Sequence, residues 1–489
     1  MIIESFIVTI YYLFGLLISI LVLPKRKSLL ACLVGFPIGC GLFSIIGYIS
    51  LIMHLPYNWI TFIVMAVIIT SILVLTDKKC ISRIKAADYL LCSVSIFVFV
   101  LLVTIIIHRS VYLPGGDTYS CALIGMNIAN DPGFFFTSID WVASYGLFYS
   151  ILNSQSYLLG GDYLFVINEL MGTLAIVLLI YFSYTLVKQT LIKYRALGEG
   201  IIALLSCILF LSADYHIHIF YFLVNMSVSV WFLISFGLII LGHDCSEFNE
   251  YWKLVLICFI TIIQARVEGG IYVAFFLTCL LINYIEDKLY LRLVLASLLW
   301  SAQLNIIQLI YNSNAENSMF WNPRRGIILI LGLSIPLILF VIRKKHLSIT
   351  DAIFDNYHDL LTITTILGTA SLAIINRGVA SQNIVIITLH IIENKYFWMA
   401  LMALAPIIAF SRDGKGYKIS FFATLTICYI CVLFAMFLLK NDGQNGAAAS
   451  LRIGMWDSGR RTLFQIMPTV AFLAIYQLIG WIKEHETSL

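Results

Sequence analysis

Charge is scarce in this chain. Only 11% of its residues are Asp, Glu, Lys or Arg, against 61% hydrophobic, where soluble domains carry about 25% charge. Together with a mean hydropathy of +0.97, this excludes an ordinary soluble domain and predicts a polytopic membrane protein. The formal net charge of +4 is small, and no basic block forms a phosphate-tracking surface, so nucleic acid is not an expected partner. The first apolar run lacks the basic n-region of a signal peptide. Glu4 is acidic, and Lys25-Arg26-Lys27 follows the run instead of preceding it, so a true first span is expected. Cysteines in metal-binding company are also missing. Most of the eleven sit inside apolar runs, among them Cys32, Cys40, Cys92, Cys207, Cys258 and Cys279, where a free thiol packs as a small hydrophobe. Cys428 and Cys431 have metal-like spacing without a His or acid beside them, so packing is expected there too. Neither an internal repeat nor a soluble domain is visible, and residues 1–489 read as one integral membrane domain.

Spans need about 20 apolar residues, and Lys or Arg in short loops marks the cytoplasmic end. The pattern predicts spans over residues 3–23, 29–53, 58–76 and 88–107, with basic clusters at Lys25-Arg26-Lys27, Lys78-Lys79 and Arg83 with Lys85. Continued along the chain, the alternation puts 188–195, 243–253, 286–292, 343–345, 412–418 and 483–485 inside. It puts 214–216, 266–270, 312–325, 376–398 and 440–461 outside. The count comes to about 15 helices, N-terminus outside and C-terminus in the cytoplasm. The outer loops combine acids, aromatics, glycine and arginine. Arginine is disfavoured on that side, so Arg324, Arg325, Arg377, Arg452, Arg460 and Arg461 are either anion ligands or ordinary solvated loop residues.

Residues 108–164 form the longest polar interruption, too long for a simple connection. Segments 122–128 and 141–152 are expected to be short helices lying in the membrane interface, with Phe134, Phe135, Phe136, Trp141 and Tyr145 at headgroup depth. A similar flat helix is expected over 384–392. Asp117 follows Gly115 and Gly116, which permit close backbone approach. At the membrane face partial desolvation raises a carboxylate's pKa, and such a group can accept a proton from an attacking sugar hydroxyl. Gly-Asp-Thr is equally good turn chemistry, and both readings stand.

Asp140-Trp141 offers a second acid beside an aromatic platform, or a helix cap with an interfacial anchor. Asp131-Pro132-Gly133 reads as a turn. Tyr112, Tyr119, Tyr145 and Tyr149 suit ligand hydrogen bonds or an aromatic belt. Arg266 and Glu268 lie in an apolar setting where ionisable groups are costly. They pair with each other, or Arg266 holds a lipid phosphate at a helix end distorted by Gly269-Gly270; a gap of two does not share a helical face. In Asp457-Ser458-Gly459-Arg460-Arg461 the guanidinium forks match phosphate oxygens or lipid headgroups. His216 and His218 near Asp214 have the wrong spacing for a metal pair on one helical face. No cofactor is required and no carboxylate cluster calls for a metal, although a divalent cation has a conceivable role.

These blocks, in this order, resemble the GT-C class of membrane glycosyltransferases, multi-span enzymes that use polyprenyl-phosphate sugars outside the cytoplasmic membrane. The matching elements are Asp117 in Gly115-Gly116-Asp117-Thr118-Tyr119, Tyr145-Gly146 with Gly160-Gly161, Arg266-Val267-Glu268-Gly269, and Asp457-Ser458-Gly459-Arg460-Arg461 ahead of Pro468. The chain departs from the class in three ways. It has no adjacent acidic pair at Asp117, which leaves the second acid between Asp140 and Glu268; three spans precede the helix that leads into the acidic loop, where the class usually has one; and no soluble C-terminal domain follows.

The resemblance implies an all-α, GT-C-like bundle in a bacterial cytoplasmic membrane. A sugar would pass from a polyprenyl-phosphate donor to a cell-envelope glycan or lipid acceptor by direct displacement with inversion. Asp117 would be the base, and Arg266, Arg460 and Arg461 would hold the phosphate, among membrane lipids. Two rival readings remain. A lipid-linked polysaccharide polymerase or ligase would use 376–398, with Arg377 and His390, as an acceptor loop. A transporter or lipid flippase expects inverted repeats and mid-membrane charges, whereas the charges here fall at span ends.

Overall fold

Glycine brings the first two helices into backbone contact. A Cβ added at Gly15 would meet the Gly35 carbonyl oxygen and the Gly39 nitrogen, and one added at Gly39 would meet the Tyr11 carbonyl. Small residues spaced four apart are how helices approach closely in an apolar solvent, where dispersion and backbone proximity replace the hydrophobic effect.

The structure, a computed structural model, describes residues 2–24, 27–77, 79–109, 116–138, 147–220, 225–244, 248–265, 269–280, 287–311, 323–344, 356–408, 410–413, 416–439 and 460–488. In chain order the helices are α1 (Ile2–Val22), α2 (Ser28–Ile52), α3 (Trp59–Thr76), α4 (Cys80–Ala86), α5 (Tyr89–Arg109), α6 (Gly116–Asn130) and α7 (Phe134–Thr137). Next come α8 (Leu147–Tyr157), α9 (Val166–Thr190), α10 (Arg195–Phe210), α11 (Ala213–Phe220), α12 (Asn225–Asp244), α13 (Phe248–Ala265) and α14 (Gly269–Leu280). The last seven are α15 (Asp287–Tyr311), α16 (Pro323–Lys344), α17 (Tyr357–Ile375), α18 (Arg377–Glu393), α19 (Lys395–Ile408), α20 (Phe421–Leu439) and α21 (Arg460–Ser488).

Among the described residues nine helices are long and apolar enough to cross a membrane: α1, α2, α3, α5, α9, α12, α15, α17 and α21. Shorter apolar stretches lie in α14, α19 and α20. The one sheet among the described residues is a short antiparallel hairpin, Phe410–Asp413 with Gly416–Ile419, in which Phe410 faces Ile419. The sequence gives only a basic loop there.

The chain divides into two compact units. The first comprises Met1–Leu174, Ile219–Leu277 and Tyr284–Ile338, the second Ala175–His218, Thr278–Asn283 and Leu339–Leu489. In the first unit α2 is the central rod. It is apolar and buried almost all round, as a helix enclosed by others must be, and it packs against α1, α3, α5, α8, α12 and α13. Inside it stands Pro37, whose carbonyl accepts from the Trp231 indole at 3.2 Å. By contrast, α3 and α5 leave most of their apolar side chains uncovered, among them Ile68, Ile72, Phe97 and Leu101, which suits helices solvated by acyl chains.

The contacts at the ends of α1 sort the connections of this unit into two sets, separated by its length of about 31 Å. At its start, the buried Glu4 carboxylate accepts from the Asp162 backbone N–H at 2.6 Å. Near its finish, Arg83, only 5% exposed, donates to the Leu21 carbonyl and Asp77 at 2.8 Å each and to Glu250 at 3.0 Å. Lys79 and Lys253 complete this ionic cluster at 3.6 Å from Glu250 and 3.4 Å from Asp77. Partial burial pushes the Asp77 carboxyl up, but the Arg83 hydrogen bond, the Lys79 N–H and the charges of Arg83 and Lys253 outweigh it and hold it below the usual carboxylate range. Burial lowers the Arg83 guanidinium, and its two carboxylate partners more than reverse that.

In the second unit α21 packs against α10, α19 and α20, and the Phe472 and Phe182 rings lie 5.9 Å apart. The Glu486 carboxylate near its end accepts from the backbone N–H groups of Ile192 and Tyr194, closing the turn between α9 and α10. Helices α17 and α20 run parallel, as the pairs Thr362 with Thr424 and Thr369 with Cys431 show. Cys428 is buried and donates its thiol to Leu361.

Candidate functional site

The described residues of the 108–164 segment fold within the first unit. Its first helix, α6, begins at Gly116, so Asp117 is the second helical residue. Spacing then divides α6 into two faces. Cys121, Ile124 and Ile128 are buried; Tyr119, Leu123 and Met126 are exposed, Tyr119 at 61%. Gly125 lies on the inner face because α8 comes too close for a side chain. A Cβ there would stand 2.8 Å from the Asn153 Cβ and 2.9 Å from the Ser150 carbonyl oxygen.

Helix α8 overturns the expectation of an interfacial helix. All ten residues from Leu147 to Ser156 are buried, including Ser150, Asn153, Ser154, Gln155 and Ser156. Polar side chains survive in such a place only when hydrogen-bonded, and here partners come from distant elements. Tyr57 and Ser154 share a hydroxyl hydrogen bond of 2.6 Å. Gln155 accepts from the Tyr11 phenol at 2.8 Å, donates to the Phe43 carbonyl at 2.9 Å, and offers its backbone carbonyl to the Trp59 indole at 2.7 Å. Ser156 donates to the Asp162 carbonyl at 2.6 Å, and Asn153 accepts from the Leu164 N–H at 3.0 Å. Tyr149 is fully inside, donating to Asn168 at 2.6 Å with Ser227 at 2.8 Å, and is not a belt residue. The Asn153 amide nitrogen is the group of this helix left without a hydrogen-bond partner.

Of the three α7 phenylalanines one lies inside the protein, and Phe134 and Phe136 are half-buried. Phe135 is fully buried and meets Tyr48 edge-on at 6.1 Å, while the Phe136 ring lies 5.0 Å from His54. His54, two residues past the end of α2, has a φ of 50°, a left-handed conformation unusual for a residue with a Cβ.

Asp140, Trp141, Tyr145, Arg266, Glu268 and Asp457 lie outside the described residues. The backbones of Asp117, Arg324, Arg325, Arg460 and Arg461 are described. Asp117 stands in the first turn of α6, Arg324 and Arg325 in that of α16, and Arg460 and Arg461 open α21. Their side chains, and so the distances among them, are outside the described residues. Among these residues and Tyr119, Tyr119 alone has a described side chain; of the further candidates, Tyr149 is buried and Arg377, which opens α18, is exposed. What the sequence missed is the buried polar layer around α8, whose only local signal is the run Asn153-Ser154-Gln155-Ser156 between apolar segments. Among the described residues no group of three or more His, Cys, Asp or Glu side chains comes together to hold a metal ion.

Comparison with protein-family models, with curated proteins and with solved structures finds no match to this chain. Fold and composition define the class: a helical membrane protein with several spans.

Proposed function

We propose that the chain is a membrane glycosyltransferase working on the extracytoplasmic face. It moves a sugar from a polyprenyl-phosphate donor to a glycan or lipid-linked acceptor, with inversion at the anomeric carbon. The observation that supports this most is the construction of the 108–164 segment. Buried polar side chains of α8 tie it to Tyr11, Phe43, Tyr57 and the 162–164 stretch, and the helix that packs closely on α8 at Gly125 begins at Gly116-Asp117. A simple connection has no use for such rigidity, whereas a reacting carboxylate needs a rigid support.

The sidedness of the contacts supports the topology as well. Glu4, Tyr57 and Trp59 meet the 154–162 stretch, while Leu21, Asp77, Arg83 and Glu250 meet one another. These are the two groups that the alternation of about 15 spans requires, N-terminus outside and C-terminus inside. In this reading the bundle is GT-C-like and resides in a bacterial cytoplasmic membrane.

The acceptor hydroxyl gives its proton to Asp117 as its oxygen bonds to C1 of the sugar; the bond from C1 to the phosphate oxygen breaks, and polyprenyl phosphate leaves as an anion. On sequence grounds Arg266, Arg324, Arg325, Arg460 and Arg461 are the proposed anion ligands. Tyr119, Trp141, Tyr145 and Asp457 are assigned to substrate, and the second acid is Asp140 or Glu268. The test is to give purified protein a polyprenyl-phosphate sugar and a panel of envelope glycans. Release of polyprenyl phosphate with sugar joined to an acceptor supports the reading. Movement of the intact lipid across vesicles without bond cleavage replaces it with a flippase.

A further inference from the structure

Helices α6 and α8 are both too short to span a bilayer. At 15 and 11 residues they measure about 22 and 16 Å, against a hydrocarbon core of about 30 Å. Their course follows from what they touch on α2, which is long enough to cross from Ser28 to Ile52. The low end of α8 is fixed by Phe148. Its ring lies edge-on to Trp231 at 4.7 Å, and the Trp231 indole donates to the Pro37 carbonyl at 3.2 Å. Pro37 stands about 14 Å of helix from Ser28 and about 22 Å from Ile52, well inside the span. From there α8 rises beside α2. A Cβ at Gly47 would run into Ile151 and Gln155, and Trp59, which opens α3, donates to the Gln155 carbonyl at 2.7 Å.

Helix α6 packs along α8 and rises the same way. At Gly125 it meets Ser150, Asn153 and Ser154. Beyond lies a tight turn, in which the Asp131 N–H reaches Asn127 at 2.8 Å and the Phe134 N–H reaches Asp131 at 3.0 Å. The turn leads into α7, whose Phe135 and Phe136 meet Tyr48 and His54 at the far end of α2. The carboxyl end of α6 is therefore the shallow one. Asp117 lies eight residues the other way from Gly125, about 12 Å deeper, which brings the first turn of α6 to the level of Phe148 or below it.

We infer that α6 and α8 form a re-entrant pair, with both amino ends inside the bilayer and both carboxyl ends toward the outer face, and that Asp117 works from within the membrane. The helix pair stands without the glycosyltransferase reading; the work assigned to Asp117 rests on it. Backbone N–H groups at an amino end have no intrahelical partner and are costly to leave bare in lipid. An acid in the first turn suits the positive end of the helix dipole, and half-helix ends at this depth are where membrane proteins hold polar substrate groups.

The test places the fluorescent residue acridonylalanine at Tyr119, Leu123 or Met126, one site per variant, in the full chain in lipid nanodiscs. All three side chains are exposed along α6. Quenching is compared between lipids with a nitroxide at the headgroup and lipids with one deep in the acyl chain. Variants at Phe97 in α5 and Ile60 in α3, both exposed, calibrate the deep and shallow limits. The ratio of deep to headgroup quenching is expected to be highest at 119, intermediate at 123 and lowest at 126, with about 10 Å of depth between the outer two sites. Equal ratios mean a helix lying flat in the interface, and a reversed order means one descending from the surface; either overturns the inference. Three sites keep the order readable where one variant does not fold. Sugar transfer is not read here, so a re-entrant pair with a fully active Asp117→Asn would keep the topology and remove the base.

Discussion

The Tyr11 phenol donates to the side-chain carbonyl of Gln155 at 2.8 Å, across 144 positions of sequence. Through it the first span holds a helix of the 108–164 segment in place. Gln155→Leu strands the Tyr11 hydroxyl and removes the second hydrogen bond of the Phe43 carbonyl, and Tyr11→Phe strands one lone pair of Gln155. Each is expected to cost about 1–3 kcal/mol, Gln155→Leu the more. The double variant should cost less than the sum, because both singles break one shared bond. Thermal unfolding in detergent measures all three; strict additivity would contradict a direct Tyr11–Gln155 interaction.

Arg83 serves two carboxylates and a backbone carbonyl at once. Arg83→Met leaves Asp77 and Glu250 facing each other with only lysines for company. The expected loss is about 1–3 kcal/mol, below that of a fully buried pair because both acids keep some water contact. The pH dependence has a definite sign. Asp77 ionises below the ordinary carboxylate range when folded, so its stabilisation is complete above the unfolded value of about 3.9 and is lost as pH falls through the folded one. Wild type and Asp77→Asn should therefore differ by a constant melting interval at neutral pH and converge in acid. An interval that closes instead as pH rises contradicts the cluster.

Gly39 and Gly368 make a matched pair of substitutions. A Cβ at Gly39 runs into the Tyr11 carbonyl, whereas one at Gly368 meets nothing within 4 Å. Gly39→Ala is expected to cost at least about 2 kcal/mol through forced separation of α1 and α2. Gly368→Ala, in an open stretch of α17, should gain about 0.5–1 kcal/mol from helix propensity. Melting curves of the two variants going the same way would refute the close approach.

Much of the frame was legible in the chain because apolar runs of about 20 residues have one common use. Residues 3–23, 29–53, 58–76 and 88–107 fall on α1, α2, α3 and α5. The start of α6 was not legible: it begins at Gly116, six residues ahead of the helix expected over 122–128. Helix α8 was not legible. Its polar run looks like an interfacial segment unless one knows that Tyr11, Phe43 and Tyr57 will face it, and local periodicity carries no such long-range information. Arg83 was hidden similarly: beside Lys79 and Lys85 it reads as one more cytoplasmic charge, and its second acid, Glu250, lies 167 residues away. Of the candidate site, position along the fold is now fixed for Asp117, Arg324, Arg325, Arg460 and Arg461, whereas Asp140, Trp141, Arg266 and Glu268 lie outside the described residues.

The most direct measurement compares the rate of polyprenyl phosphate release by wild type and by Asp117→Asn at saturating donor and acceptor. Loss of a general base predicts a fall of about 10²- to 10⁴-fold in the variant, with donor binding kept because the isosteric amide leaves the cradle intact. Release at the wild-type rate in Asp117→Asn would contradict the account.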